Sequence, residues 1–258
     1  MRGSFNDPRI SGKTRAFHFG VDVSVRDGTA VYAVDGGTVF IENASAVAVD
    51  AGGVDFGYWH IVPAVRHRQR VRRHQLLGHV LKPWGHVHFA ERRRGHYVDP
   101  LRPGALTPWS DPTSPRIASI SFERAGRAVK PQAVFGDVDV VVEAYDRPPL
   151  RPLEPWAGAI VTPLLLRWRV LHGGRVARPW HTPIDFRTFH EQDRFGAIYA
   201  SGTRQNRPGK PGRYRFFLAH TWTTSLLPDG RYRLEAEAAD ERGNLARAGL
   251  EFALANNV

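Results

Sequence analysis

The sequence predicts a mostly β protein. Three observations carry this. Turn-forming runs recur along the chain, at Asp27-Gly28, Asp35-Gly36-Gly37, Gly52-Gly53, Gly173-Gly174 and Asp229-Gly230, and cut it into short stretches rich in Val, Tyr, Phe and Trp. Several stretches alternate apolar and polar residues, the two-residue period of a half-buried strand. No window of helical length sustains a 3.6-residue apolar period; Val62 to Leu77 comes nearest, with its apolar positions too sparse.

The elements follow in chain order. Phe17-His18-Phe19-Gly20-Val21-Asp22-Val23 alternates strictly. As one extended strand it would point Phe17, Phe19, Val21 and Val23 into a core, with His18 and Asp22 together on the opposite face and Gly20 leaving space between them. Thr29 to Val34 and Gly37 to Glu42 read as a hairpin around the Asp-Gly-Gly turn. In Gly85-His86-Val87-His88-Phe89 the two histidines share one strand face, and Val87 and Phe89 take the other. Pro103 to Pro115 holds four prolines without periodicity and suits an extended linker. Beyond it Val138–Ala144, Leu164–Val170, Arg213–Leu218 and Arg231–Ala238 read as strands. Tyr232, Leu234, Ala236 and Ala238 alternate with charged residues, and Gly243-Asn244 then turns the chain into Leu250–Leu254. That is the terminal hairpin of a β-sandwich with one buried face, similar to the last two strands of immunoglobulin-like or fibronectin-like modules. Asn206 to Gly212 is expected to be a mobile surface loop. The division is therefore 1–105, a linker at 106–115, and 116–258.

Composition narrows the chemistry. With 258 residues, 42% hydrophobic and 24% charged, the chain can bury a core, and no apolar run approaches the roughly 20 residues that span a bilayer. No basic start followed by an apolar run reads as a signal peptide. There is no cysteine, which excludes disulfides, thiolate metal sites and cysteine nucleophiles; a metal site must use His and carboxylates. The net charge of +11 suits polyanions, and is equally the mark of an Arg-rich composition from a GC-rich genome. His67, His74, His79 and His96 and the arginine runs 66–73 and 92–94 read as solvated surface.

The His and Asp positions gain meaning in combination. Gly3-Ser-Phe-Asn-Asp-Pro-Arg9, His18-x-Gly-x-Asp22, Asp27-Gly-Thr-Ala-Val-Tyr-Ala-Val34 with Gly36-Gly-Thr-Val39, Tyr58-x-His60, His86-x-His88-Phe89 and Tyr97-Val-Asp-Pro-Leu101 resemble, in order, the M23 (LytM/lysostaphin-like) zinc metallopeptidases over residues 3–102. The resemblance implies a LytM-like antiparallel β domain with a groove. It implies Zn²⁺ held by His18, Asp22 and His88, with His60 and His86 as the catalytic histidines. Two imidazole nitrogens and one carboxylate oxygen suit zinc and leave a fourth position for water, the pattern of a catalytic site. Tyr58 and Trp84 are further candidates for substrate contact.

It also implies cleavage of peptide bonds in bacterial cell-wall peptidoglycan, an extracytoplasmic location, contact with anionic wall polymers and no specific nucleic-acid partner. The sequence departs from the family in the short, stiff Leu81-Lys-Pro-Trp-Gly85 stretch and in Arg66–His74, where glycines are usual. Those departures border the groove and keep open a catalytically weak scaffold or regulator of other wall hydrolases. The residues taken alone also allow a polyanion-binding β protein with structural histidines.

Overall fold

A computed structural model describes residues 1–105 and 110–256. It is built almost wholly of antiparallel strands, which gather around two separate clusters of buried apolar side chains.

The first cluster lies under a seven-stranded sheet with spatial order His96–Val98, His86–Arg93, Val54–Trp59, Ala46–Asp50, Gly37–Asn43 and Arg70–Val71; Val21–Ser24 pairs with the near end of His86–Arg93. A three-stranded sheet (Ala30–Tyr32, Leu76–Val80, Ile61–Pro63) lies beside it. Val21, Val39, Val47, Val49, Ile61 and Leu77 are fully buried between them. The expected hairpin around Asp35-Gly36-Gly37 does not form. Ala30–Tyr32 pairs with Leu76–Val80, whereas Gly37–Asn43 pairs with Ala46–Asp50 and Arg70–Val71. Gly37 lies so close to the next strand that a Cβ there would sit 2.2 Å from the Asp50 carbonyl oxygen. The Asp-Gly-Gly turn therefore carries the chain from one sheet to the other.

The second cluster lies between two four-stranded sheets. One has the order Arg127–Val129, Arg116–Arg124, Asp137–Tyr145, Arg215–Thr223, and the other Arg175–Asp185, Leu165–His172, Gly230–Ala239, Leu245–Leu254. The alternation read at Tyr232, Leu234, Ala236 and Ala238 is real, since all four are buried, and Gly230–Ala239 and Leu245–Leu254 form a ten-pair hairpin. Arg175–Asp185 contains Pro179 and Pro183 and occupies a sheet edge, where a missing N–H donor costs no ladder bond. Trp168, Tyr214, Tyr232, Phe122 and Phe216 fill the space between the sheets.

The first 17 residues tie the two clusters together. Asn6 and Asp7 are completely buried. The Asn6 side chain donates to the carbonyls of Phe186 and Thr188 and accepts from the His190 N–H. Asp7 accepts from the backbone N–H groups of Ser4 and Thr162. Phe17 belongs to the second cluster, packing on Phe186, Phe195 and Tyr199. Val21 belongs to the first. Phe17 to Val23 is therefore two strands, Thr14–Phe17 and Val21–Ser24, broken at His18–Gly20, and the strict alternation spans a bend that sends its apolar residues into different cores. Asn206, expected in a mobile loop, is 7% exposed, and its side chain accepts from the Ile160 N–H and donates to the Ile160 carbonyl. Of the expected linker, residues 106–109 lie outside the described residues, and Arg116 already begins a strand.

Candidate metal centre and its cleft

The site forms where the bend at His18–Gly20 meets the strand His86–Arg93. Asp22 is the direct cross-strand partner of His88, and His88 is in turn paired with Trp59. This close approach depends on Gly20: a Cβ there would lie 2.3 Å from the Phe89 carbonyl oxygen. The space that Gly20 leaves is thus filled by the neighbouring strand's backbone. It lies behind the site and does not separate His18 from Asp22.

Three donor atoms converge. His18 Nε2 and His88 Nδ1 are 2.7 Å apart, and Asp22 Oδ1 is 3.2 Å from each. All three residues are buried. Tetrahedral ligands about 2.1 Å from a zinc ion stand roughly 3.4 Å from one another, so one ion could reach all three with little adjustment. The outer contacts fix the inner ones. His18 Nδ1 donates to the Ser4 carbonyl at 2.8 Å, which leaves the Nε2 lone pair facing inward. Arg9 donates to Asp22 Oδ2 at 2.7 Å and leaves Oδ1 for the centre. His88 Nε2 is buried with no hydrogen-bond partner, among the edges of Phe19 and Trp59. An imidazole accepts that cost, about 1–3 kcal/mol, where its other nitrogen is committed to a strong interaction. The donor set, its tautomers and this orphaned nitrogen fit a divalent zinc ion.

His86 and His60 stand beside the three. His86 Nδ1 donates to the Trp84 carbonyl at 2.9 Å, so its Nε2 lone pair faces the centre, 3.5 Å from Asp22 Oδ1. His60 connects Val54–Trp59 to Ile61–Pro63 in the left-handed region, φ 66°, a conformation that costs a non-glycine residue and recurs at functional positions. Its ring stacks on Trp84 at 3.8 Å and lies 4.5 Å from that of His86.

The electrostatics suit uncharged imidazoles. Burial, with Arg9 adding to it, lowers His18 to about 3. Burial and the neighbouring His86 lower His60 to about 4, and His86 is lowered mainly by burial. Burial pushes the Asp22 carboxyl up, but His18 and Arg9 overcome it and hold the group well below the usual carboxylate range. Asp22 is thus an anion and the three histidines are bases at neutral pH.

A cavity of about 530 Å³ opens over these residues. His60, Trp84, Trp59 and Phe19 line it from the first unit; Arg2 and Arg9 from the leading segment; Trp156, Gln205 and Asn206 from the second. Tyr58 does not line it: the residue is 2% exposed and its hydroxyl accepts from the Val34 N–H. Trp84 does, with 44% of its surface exposed. His67, His74, His79 and His96 are exposed, as are Arg66, Arg68, Arg72 and Arg73. The sequence reading missed Arg2, Arg9 and the Ser4 carbonyl as site groups, although Gly3–Arg9 carries part of the resemblance. It missed Trp156, Gln205 and Asn206 as site groups, since no motif links the histidines to residues so far along the chain.

Residues 16–100 match the model of Peptidase family M23. No curated protein matches the chain significantly. Among solved structures, a catalytic-domain variant of the prophage-encoded M23 protein EnpA from Enterococcus faecalis is 22% identical, covering 41% of this chain and 90% of that one at a TM-score of 0.34. Lysostaphin is 16% identical, covering 81% and 83% at a TM-score of 0.31. Csd3 from Helicobacter pylori is 21% identical, covering 42% of this chain and a third of its own length (33%) at a TM-score of 0.35. The family match spans both histidine motifs, Asp22 and His60.

Proposed function

We propose that this chain is a zinc-dependent metalloendopeptidase that hydrolyses peptide bonds of bacterial cell-wall peptidoglycan. The observation that carries the reading is the meeting of His18 Nε2, Asp22 Oδ1 and His88 Nδ1 beside two further uncharged histidines in an open cavity. His18, Asp22 and His88 would hold the ion. Zinc in such a site acidifies a bound water and polarises the scissile carbonyl.

The remaining work falls to this chain's own side chains. His86 Nε2, its lone pair aimed at the centre by the Trp84 carbonyl, takes the proton from the attacking water. His60, held flat against Trp84 in the cavity, donates a hydrogen bond to the oxyanion, and His86 hands the proton it took from the water to the leaving amine. Arg9 keeps Asp22 charged and oriented. Trp84 and Trp59 offer apolar walls that shield the reacting groups from bulk water. The substrate places the protein outside the cytoplasmic membrane, where exposed arginines 66–73 would meet anionic wall polymers. No helix among the described residues is long and apolar enough to cross a membrane.

One contact favours a second reading, a non-cleaving wall-binding scaffold: Arg2 lies 3.3 Å from His86 Nε2 and donates to the lone pair the mechanism needs. Zinc quantification on purified protein, together with muropeptide release from isolated sacculi, separates the two. The peptidase reading expects one zinc per chain and release that is lost in His86→Ala. One zinc with no release would give the scaffold; no zinc after reconstitution would remove both.

A further inference from the structure

The cleft contains a cation that the chemistry above leaves unused. Arg2 belongs to neither the donor triangle nor its immediate supports, yet its position is tightly determined. Its backbone N–H donates to the Asp22 carbonyl at 3.0 Å, and its own carbonyl accepts from the Asn206 side chain at 3.1 Å. The two units thus clamp Arg2 from opposite sides. The guanidinium carbon lies 4.0 Å over the ring of Trp156, close enough for a cation–π contact. Its nitrogens reach the Trp84 carbonyl and His86 Nε2, both at 3.3 Å. Both bonds are long, and they use two of five N–H donors.

Arg2 also lacks an anion. Among the described residues no carboxylate lies within salt-bridge distance of its guanidinium, and Asp22, the one acid lining the cavity, gives Oδ2 to Arg9. A half-buried guanidinium with an aromatic plane behind it and spare donors at its edge is the arrangement that proteins use to take a carboxylate in bidentate fashion. A carboxylate is a better acceptor than a neutral imidazole. An acidic group in the cleft would draw the Arg2 donor away from His86 and leave the Nε2 lone pair free.

We propose that Arg2, mounted on Trp156, is the receptor for a side-chain carboxylate of the substrate, so that the cleft selects acidic peptides. The inference rests on the peptidase reading for the word substrate, and its test is made by binding. Trp156 is then a positioning residue supplied by the second unit.

The test uses the full chain, zinc-loaded and chelator-stripped, titrated by calorimetry with acetyl-Ala-Glu-Ala-amide and with its neutral isostere acetyl-Ala-Gln-Ala-amide. The wild type is expected to bind the Glu peptide about tenfold or more tightly than the Gln peptide, the worth of one charge-assisted pair, and in both metal states. Arg2→Gln should bring the two peptides to parity, Arg2→Lys should keep part of the preference, and Trp156→Ala should reduce it while circular dichroism shows the fold intact. Parity in the wild type overturns the proposal. So does a preference that survives Arg2→Gln, or one that disappears with the zinc, which would assign the carboxylate to the metal. A preference present in a protein that releases no muropeptides would uphold this site and defeat the peptidase reading alone.

Discussion

At the residue scale the site depends on contacts one step removed from its donor atoms. Arg9 fills Asp22 Oδ2 and so decides which oxygen faces the histidines. Arg9→Gln is expected to weaken zinc affinity 10- to 100-fold, the usual effect of losing a partner that orients a ligand, with little change in thermal stability. Competition with a chromogenic chelator measures it; unchanged affinity would show that Asp22 needs no support. Gly20 acts through the backbone. Gly20→Ala drives a methyl into the Phe89 carbonyl, and should both destabilise the protein and abolish stoichiometric zinc, whereas Gly28→Ala, strained by φ alone with open space around it, should leave zinc binding intact. Zinc content measured on the two variants distinguishes these outcomes. Histidine and aspartate types at short spacings are visible in a sequence because two-residue and four-residue intervals translate directly into strand faces. Arg2, Trp156 and Asn206 are not, because their places are set by how two cores dock, and no local period encodes that.

At the element scale alternation was readable where one strand faces one core. Gly230–Ala239 shows it: Leu234 is completely buried between the sheets and Arg231 is exposed. Leu234→Ala should cost about 2–5 kcal/mol, and Arg231→Ala should fall within about 0.5 kcal/mol of wild type. Chemical denaturation reports both, and similar losses at the two positions would contradict the face assignment. Alternation misled where the chain changes partner in mid-pattern. Phe17 and Val21 keep the two-residue rhythm, yet the bend at His18–Gly20 delivers them to different clusters. The Asp35-Gly36-Gly37 turn misled for a related reason. Its composition specifies a reversal, but the sheet each arm joins is decided by Leu76–Val80 and Ala46–Asp50, which lie far along the chain.

At the scale of the whole molecule, acidic groups gather where the chain passes from one unit to the next. Asp111, Asp146 and Asp240 are buried with carboxylate oxygens within 4.8 Å of one another. Asp146, at the end of Asp137–Tyr145, accepts from the Arg147 N–H. Burial foremost, with Asp111 and Asp240 adding to it, raises its carboxyl to about 7 from 3.8. The folded chain therefore holds this proton more tightly than the unfolded one. Its contribution to stability is fully present below about pH 4 and is lost as the pH rises through about 7. Asp146→Asn removes that loss and keeps the acceptor for Arg147. Its melting temperature is expected to exceed the wild type's by roughly 5 °C or more at pH 8, and to match it at pH 4. Calorimetry at the two pH values decides the matter, and an equal difference at both would assign the effect to packing.

The leading segment that precedes the M23 match has a practical corollary for dissection. A polypeptide trimmed to residues 16–105 keeps every donor atom for the ion but forfeits Arg2, Arg9 and the Ser4 carbonyl, and it bares Phe17 to water after removing its aromatic neighbours. Family resemblance would suggest that such a piece is the minimal enzyme, while the packing makes it a centre with its props and one wall removed. Transplanting the M23-matched stretch onto a foreign tail would meet the same difficulty, so recombination would have to move the two units together.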